Sequence, residues 1–336
     1  MAIPTTRTHE AARLEFFSDL CNGCGLCVQV CKDFGIRLVD GKAQRTEHSL
    51  FGCIGCGHCM AICPQEAVKV EGRCLSAIDL TELPEPGEAA SYRSLGNLLQ
   101  RRRSIREFKD QAVEPELIEK VLEAVRLAPM GLPPSDVHIL VLDSPESVKK
   151  FTMDFCTYLK GLKWLVSGWF LALMRPFWGK ANDALCRDFV RPLIYSYTSA
   201  MARGENTVTY DAPAALYFYG SPYCDPADPI VAATYAMLTA ESLGLGTCMV
   251  GGMHPLIQSG KAARKFRERQ GIRYASREGL MVIMGYPRVV YRKGIRRSLA
   301  AVDRYGGKGK KSIFAGRPDA LAPGNGELGA EHEITA

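Results

Sequence analysis

Eight of the thirteen cysteines in this 336-residue chain fall into two copies of one spacing: Cys21, Cys24, Cys27, Cys31 and Cys53, Cys56, Cys59, Cys63. Thiolates at every third residue of a short loop can wrap three ligands around one face of an iron–sulfur cube, and the fourth ligand arrives from elsewhere. In the two-cluster form of this spacing the fourth cysteine of each run serves the other cluster. The spacing therefore predicts one [4Fe–4S] cluster on Cys21, Cys24, Cys27 and Cys63, and another on Cys53, Cys56, Cys59 and Cys31. Disulfides would need an oxidising compartment, and the first ten residues lack the apolar core of a secretory signal, so a cytoplasmic protein is expected. Structural zinc takes four cysteines per ion, but runs of four with a three-residue last gap are unusual for it. The remaining Cys74, Cys156, Cys186, Cys224 and Cys248 share no spacing and read as small core residues.

The first run maps onto the second at one constant offset that also carries Gly23 onto Gly55 and Gly25 onto Gly57. Glycine at these places removes side chains where backbone N–H groups must approach the cluster sulfurs. A hairpin-like echo follows each run, at residues 36–41 and 67–72. Residues 16–73 resemble a bacterial two-cluster ferredoxin over their whole length. One departure is Lys32, which stands where the first run would carry proline, as Pro64 does after the second. Its positive charge beside one cluster favours the reduced, more negative state.

A second domain must follow, because the chain exceeds a ferredoxin several times over. Two prolines and a glycine make residues 80–88 a linker. The expected organisation is a ferredoxin-like domain at 1–79, a linker at 80–91, a second domain at 92–303 and a flexible tail at 304–336. Beyond the linker, helices are predicted at 95–103, 115–127 and 228–243, and strands at 138–142, 214–219 and 280–284. The fold class is α+β, with a central sheet. The net charge of +6 concentrates at residues 101–106 and 288–311. No nucleic-acid motif accompanies these patches, so a phosphate-bearing cofactor or an acidic redox partner is the expected counterpart.

Arg102, Arg103, Ser104 and Arg106 place three guanidinium groups and a hydroxyl within five residues, a natural clamp for a phosphate. Ala128-Pro129-Met130-Gly131 follows the next helix, a glycine-rich stretch at 244–252 follows the long one, and Met284-Gly285-Tyr286-Pro287 closes the late strand. This ordered set resembles the FMN-dependent nitroreductase family over residues 94–299. The resemblance implies a nitroreductase-like α/β sandwich that forms a homodimer with FMN buried in the subunit interface. It also implies that Arg102, Arg103, Ser104 and Arg106 hold the FMN phosphate, ribityl chain and pyrimidine edge, with Arg297 closing on the phosphate. Met249, Val250, Gly251 and Gly252 would pass along the ring, a backbone N–H near Gly251 reaching the flavin N5. The asparagine and glutamine that the family commonly carries after Ala-Pro-Ser-Gly are missing here. Ser135 or backbone groups of the loop containing Pro129, Met130 and Gly131 replace them, from the same or the partner subunit.

Residues 149–210 read as an apolar helical insertion or lid holding all three tryptophans, Trp164, Trp169 and Trp178. Its apolar run is too short for a bilayer. A buried or dimer-interface helix pair, a lid over the flavin and a peripheral membrane contact flanked by Lys160, Lys163, Arg175 and Lys180 remain open. Clusters move single electrons, whereas FMN can take them singly and deliver a pair. The expected function is therefore an iron–sulfur flavoprotein oxidoreductase. It would be fed by an external donor such as ferredoxin or flavodoxin, and would reduce a small apolar or aromatic acceptor: a nitroaromatic, quinone, activated alkene or halogenated aromatic. The alternatives are an NAD(P)H-dependent flavin reductase, an electron-transfer or redox-sensing protein with a protein partner, and an enzyme that consumes its flavin. No catalytic residue is assigned; Tyr195, Tyr197 and His254 are candidate proton donors.

Overall fold

The computed structural model describes residues 3–32, 35–47, 49, 51–295 and 297–300. The chain divides into two compact units, Met1–Val290 and Tyr291–Ala336. The described residues of the second unit, Arg297 among them, are exposed and form neither helix nor strand. The tail expected at 304–336 lies outside the described residues.

The cysteine-rich region folds as β1 (Arg13–Phe16), α1 (Leu26–Val30), β2 (Ile36–Val39), β3 (Lys42–Arg45), α2 (His58–Ala61) and β4 (Val68–Glu71). The sequence repeat is also a backbone repeat. Gly25 and Gly57, both at φ 74°, start the two short helices, and Gly23 and Gly55 match at φ 75° and 72°. These left-handed values favour glycine, and a Cβ on Gly23 would also run into the carbonyl oxygen of Gly41. The first echo is a hairpin, β2 with β3, but the second is not. β4 pairs back with β1, from Arg13↔Glu71 to Phe16↔Val68, because the chain turns tightly at Gly72–Leu75 and β1 supplies the free edge. Cys27, Cys59, Met60, Ile36, Val68 and Val70 share one small core.

The second region contains α3 (Tyr92–Arg101), α4 (Pro115–Arg126), β5 (Val137–Leu142), α5 (Pro145–Leu162), α6 (Gly168–Leu185), α7 (Arg191–Ala202), β6 (Ala214–Gly220), α8 (Asp228–Ser242), β7 (Gly246–Val250), α9 (Lys261–Arg269) and β8 (Gly279–Gly285). The sheet is antiparallel, in the order β5-β6-β8-β7. Strand residues alternate between faces. Leu216, Phe218, Val282 and Met284 pack with Ile118 and Val121 of α4 and with α8, whose Ala232, Ala233, Ala236 and Ala240 present little bulk to the sheet. Tyr217, Tyr219, Met281 and Ile283 pack on the opposite face with Phe151, Phe155 and Leu159 of α5 and Phe266 of α9. The result is an α/β/α sandwich.

The expected insertion at 149–210 is helical, but its first helix, α5, is a core layer of the sandwich with seven buried residues. From residue 163 onward the segment still contributes Val166, Ile194 and Val208 to the same core. There α6 breaks at Gly179, three residues after Pro176, and Trp164, Trp169 and Trp178 gather around Phe170 at centroid distances of 5.2, 5.7 and 6.0 Å. Among the described residues no helix is long and apolar enough to cross a membrane.

Candidate functional site

Each four-cysteine set predicted from the spacing surrounds one space. Cys31, Cys53, Cys56 and Cys59 line a cavity of about 540 Å³, and Cys21, Cys24, Cys27 and Cys63 line a smaller one. Among the described residues no three His, Cys, Asp or Glu groups converge on a single ion. Sulfurs arranged around a space rather than a point fit an iron–sulfur cube better than a lone zinc. Burial, reinforced by the sulfurs of Cys53, Cys56 and Cys31, pushes the Cys59 thiol up to about 12. Burial also raises Cys27, with Cys63, Cys21 and Cys24 adding to the effect. Such thiols ionise readily only when a metal takes the thiolate. Backbone N–H groups point at the sulfurs, from Ala43 to Cys21 at 3.5 Å and from Ala67 to Cys63 at 3.2 Å, and the former helps to lower the Cys21 thiol. Of the five expected in the core, Cys156 and Cys248 are buried, whereas Cys74 is exposed in the turn after β4.

The larger cavity has a second wall. Pro129, Met130, Gly131 and Pro133, from the loop between α4 and β5, close it against the cysteines, and Lys32 borders it as well. Arg73 and Asp136 both tie the cysteine-rich region to this loop. Arg73, 4% exposed, donates to the carbonyls of Ile54 at 2.8 Å, Glu10 at 2.9 Å and Pro133 at 2.7 Å, so one guanidinium spans both regions. Burial lowers the Arg73 pKa. Asp136, also buried, accepts from the Thr6 hydroxyl at 2.5 Å, the Thr6 N–H at 3.1 Å and the Ser221 hydroxyl at 3.0 Å. The loop is held further by the Gly131 N–H, which donates to Asp228 at 2.9 Å. Ser135 caps the start of β5, its hydroxyl oxygen accepting from the Val137 N–H at 3.2 Å, which leaves the hydroxyl proton to donate. Pro129, Met130 and Ser135 also line a third cavity of about 470 Å³, bordered by Arg7, Arg126 and His138.

The arginine-rich segment leaves α3 at Arg102 and runs along the outer edge of β7, Ser104 opposite Thr247 and the Ile105 N–H donating to the Thr247 carbonyl at 2.9 Å. The glycine-rich stretch at 244–252 is therefore a strand, β7, followed by a turn at Gly251 and Gly252. Close contact requires Gly246, because a Cβ there would stand 2.5 Å from Ile105 Cγ1. Arg102 Nη1 and Thr247 Oγ1 are both buried without a hydrogen-bond partner among the described residues, two donors prepared for a polar ligand. Arg101 lies 3.7 Å from Glu241, whose carboxyl burial raises. Arg106 covers the Tyr210 ring at 5.7 Å. At the far end of β7 a Cβ on Gly251 would meet open space, room for a flat ring to approach the backbone. Met249 is half exposed, and the Tyr197 hydroxyl stands 3.6 Å from where a Cβ of Gly252 would be. Gly246→Ala is expected to force Ile105 out of its buried place and part Ser104 from Thr247, at a cost of about 1–3 kcal/mol. A lower melting temperature together with lower retained flavin would register it.

Of the candidate proton donors, Tyr197 alone borders the Gly251–Gly252 turn. His254 is buried beneath the sheet, 2.8 Å from the Tyr217 hydroxyl, and Tyr195 faces Lys163 at 4.8 Å. Thr247, Tyr210, Arg73, Asp136 and Thr6 belong to the site and its supports without any signal in the sequence pattern, since each is a single residue brought in by tertiary contact. Arg297, in the second unit, is exposed.

An antiparallel α/β/α sandwich bearing an arginine clamp, fused to a double-cysteine module, defines an iron–sulfur oxidoreductase. Residues 99–286 match the model of the nitroreductase family, and residues 20–68 match that of a 4Fe-4S dicluster domain. The chain belongs to the nitroreductase family. Among solved structures it is similar to a nitroreductase with bound FMN from Desulfitobacterium hafniense (22% identity, 60% of this chain and 93% of that chain covered, TM-score 0.43). It is also similar to a nitroreductase with bound FMN from Bacteroides fragilis (16%, 60% and 94%, 0.43) and to an FMN-dependent nitroreductase from Clostridium difficile (18%, 62% and 97%, 0.42). No curated protein matches the chain.

Proposed function

We propose that this protein takes electrons from an external low-potential donor, such as ferredoxin or flavodoxin, into two [4Fe–4S] clusters. It passes them to FMN and reduces a flat apolar acceptor. When bound, these groups supply single-electron transfer at the clusters and its conversion to two-electron chemistry at the flavin. The observation that carries the reading is the shared wall: the 129–133 loop closes the cavity of Cys31, Cys53, Cys56 and Cys59. Cys21, Cys24, Cys27 and Cys63 hold the outer cluster, the one that the 129–133 loop does not border. Lys32 sets a positive charge at the inner cavity, favouring electron arrival there.

Arg102, Arg103, Ser104, Arg106 and Thr247 bind the phosphate and ribityl chain. Met249, Val250, Gly251 and Gly252 bear on the ring, with Tyr197 at its side as a proton donor. Burial raises the Tyr197 hydroxyl pKa, which keeps it protonated at neutral pH. Leu193 and Tyr197 beside Gly252 favour nitroaromatics, quinones, activated alkenes or halogenated aromatics over charged substrates.

The test is stopped-flow reduction of the purified protein, with cluster and flavin absorbance followed separately. Reduced ferredoxin is expected to bleach the clusters before the flavin. Rapid flavin bleaching by NAD(P)H, with the clusters still oxidised, would overturn the donor assignment.

A further inference from the structure

The residues assigned to one flavin stand at opposite edges of the sheet. The order β5-β6-β8-β7 places the 129–135 loop at the start of β5 on one side and the arginine segment outside β7 on the other. Ser104 and Val137 are four strand positions apart, about 19 Å at the usual spacing of about 4.8 Å. That is farther than a single flavin ring bridges. Neither cavity lined by Pro129 and Met130 includes any residue of the arginine segment or of Met249, Val250, Gly251 and Gly252. One copy of the chain therefore presents two half-sites. Both expose apolar surface: Met249, and Leu95 and Leu99 of α3, on the clamp side, and Leu127 and Met130 on the loop side. A second copy, presenting the complementary half, covers each of them.

Accepting the flavin and cluster assignments above, we infer that the electron route crosses between copies: the cluster cavity serving a given flavin belongs to the chain that does not hold that flavin's phosphate. Pro129 and Met130 line the cysteine cavity on one side and the 470 Å³ cavity on the other, so a single layer of residues separates them. The outer cavity is of a size to take a ring presented by the other copy's clamp. Arg73 and Asp136 fix the cysteine region to this loop within the same copy. The clusters therefore travel with the loop half-site and not with the clamp half-site.

Mixed dimers carrying two different affinity tags test the route. One copy carries Arg102→Ala with Arg106→Ala and so has no clamp; the other keeps its clamp, leaving one FMN per dimer. Met130→Asp is then placed on either copy and the FMN dissociation constant is measured by fluorescence titration. A crossed site weakens binding by roughly tenfold when the aspartate sits on the clamp-deficient copy, and not when it sits on the other. Weakening only on the clamp-bearing copy, or equally on both, overturns the crossed route while leaving the loop as a flavin contact. No effect on either copy overturns the loop assignment itself, and a monomeric protein overturns the inference outright. A second measurement places Cys31→Ser in the same dimers and follows flavin bleaching under photoreduction. The crossed route predicts slow bleaching with the serine on the clamp-deficient copy and wild-type bleaching with it on the other. The reverse pattern overturns the inference.

Discussion

Cys31→Ser and Cys63→Ser are each expected to reduce iron from about eight to about four atoms per chain, yet to differ in what the flavin receives. Cys31 sits in the first run but lines the cavity of the second, which the 129–133 loop closes. Cys63 completes the opposite cavity, where the loop does not reach. Serine at position 31 therefore removes the cluster next to the flavin and is expected to slow flavin reduction by roughly a hundredfold with every electron donor that works through the clusters. Serine at position 63 removes the outer cluster. It impairs the encounter with a protein donor but leaves a small photoreductant able to load the inner cluster, so flavin bleaching persists. Iron analysis, cluster electron paramagnetic resonance and photoreduction followed at the flavin band distinguish the two. Equal loss of bleaching in both variants would contradict the division into inner and outer clusters, and no loss in either would contradict the wire.

The two ligand sets could be proposed from the sequence because cluster ligation is a matter of short, repeated spacing. The eight cysteines and the glycines at 23, 25, 55 and 57 act locally, and the structure places them in two matching loops. The central strands were legible for a related reason: β6 and β8 are buried along their whole length and read as continuous apolar runs. What stayed hidden depends on distant partners. β1 is a strand because β4 lies beside it, and nothing in Arg13-Leu14-Glu15-Phe16 foretells that pairing. Nor does the sequence show that Gly246 is there for a neighbour, giving room to Ile105 rather than bending the chain. α5 looked like inserted material because its apolar face was read together with the tryptophans that follow, although it forms a core layer with α9. Arg73 sits within a tight turn at φ 52°, and no pattern marks a residue whose three acceptors lie 19, 60 and 63 positions away.

Arg73→Met is expected to uncouple the two regions while leaving each with its cofactors. The methionine keeps much of the apolar stem but supplies none of the hydrogen bonds that the guanidinium gives to Ile54, Glu10 and Pro133. Three carbonyl oxygens then face a buried space without a donor, at a cost of about 3–5 kcal/mol for breaking a buried charged network. Part of that cost is relieved when the cysteine region swings away from the loop and water reaches the carbonyls. The inner cavity then loses its wall of Pro129, Met130 and Gly131, and the cluster it holds moves away from the flavin side. Iron and FMN contents are expected to stay at wild-type levels, because the hydrogen bonds of Arg73 go to backbone carbonyls. Cluster-to-flavin transfer is expected to fall by roughly a hundredfold, whereas direct chemical reduction of the flavin is unchanged. Arg73→Lys, which can satisfy one or two of the three carbonyls, should recover part of the transfer rate. Asp136→Ala, acting on the same joint through Thr6 and Ser221, should reproduce the defect in milder form. If Arg73→Met lowered the melting temperature but left the transfer rate intact, the arginine would be a structural staple only, and the 129–133 loop would keep its place at the inner cluster by other contacts.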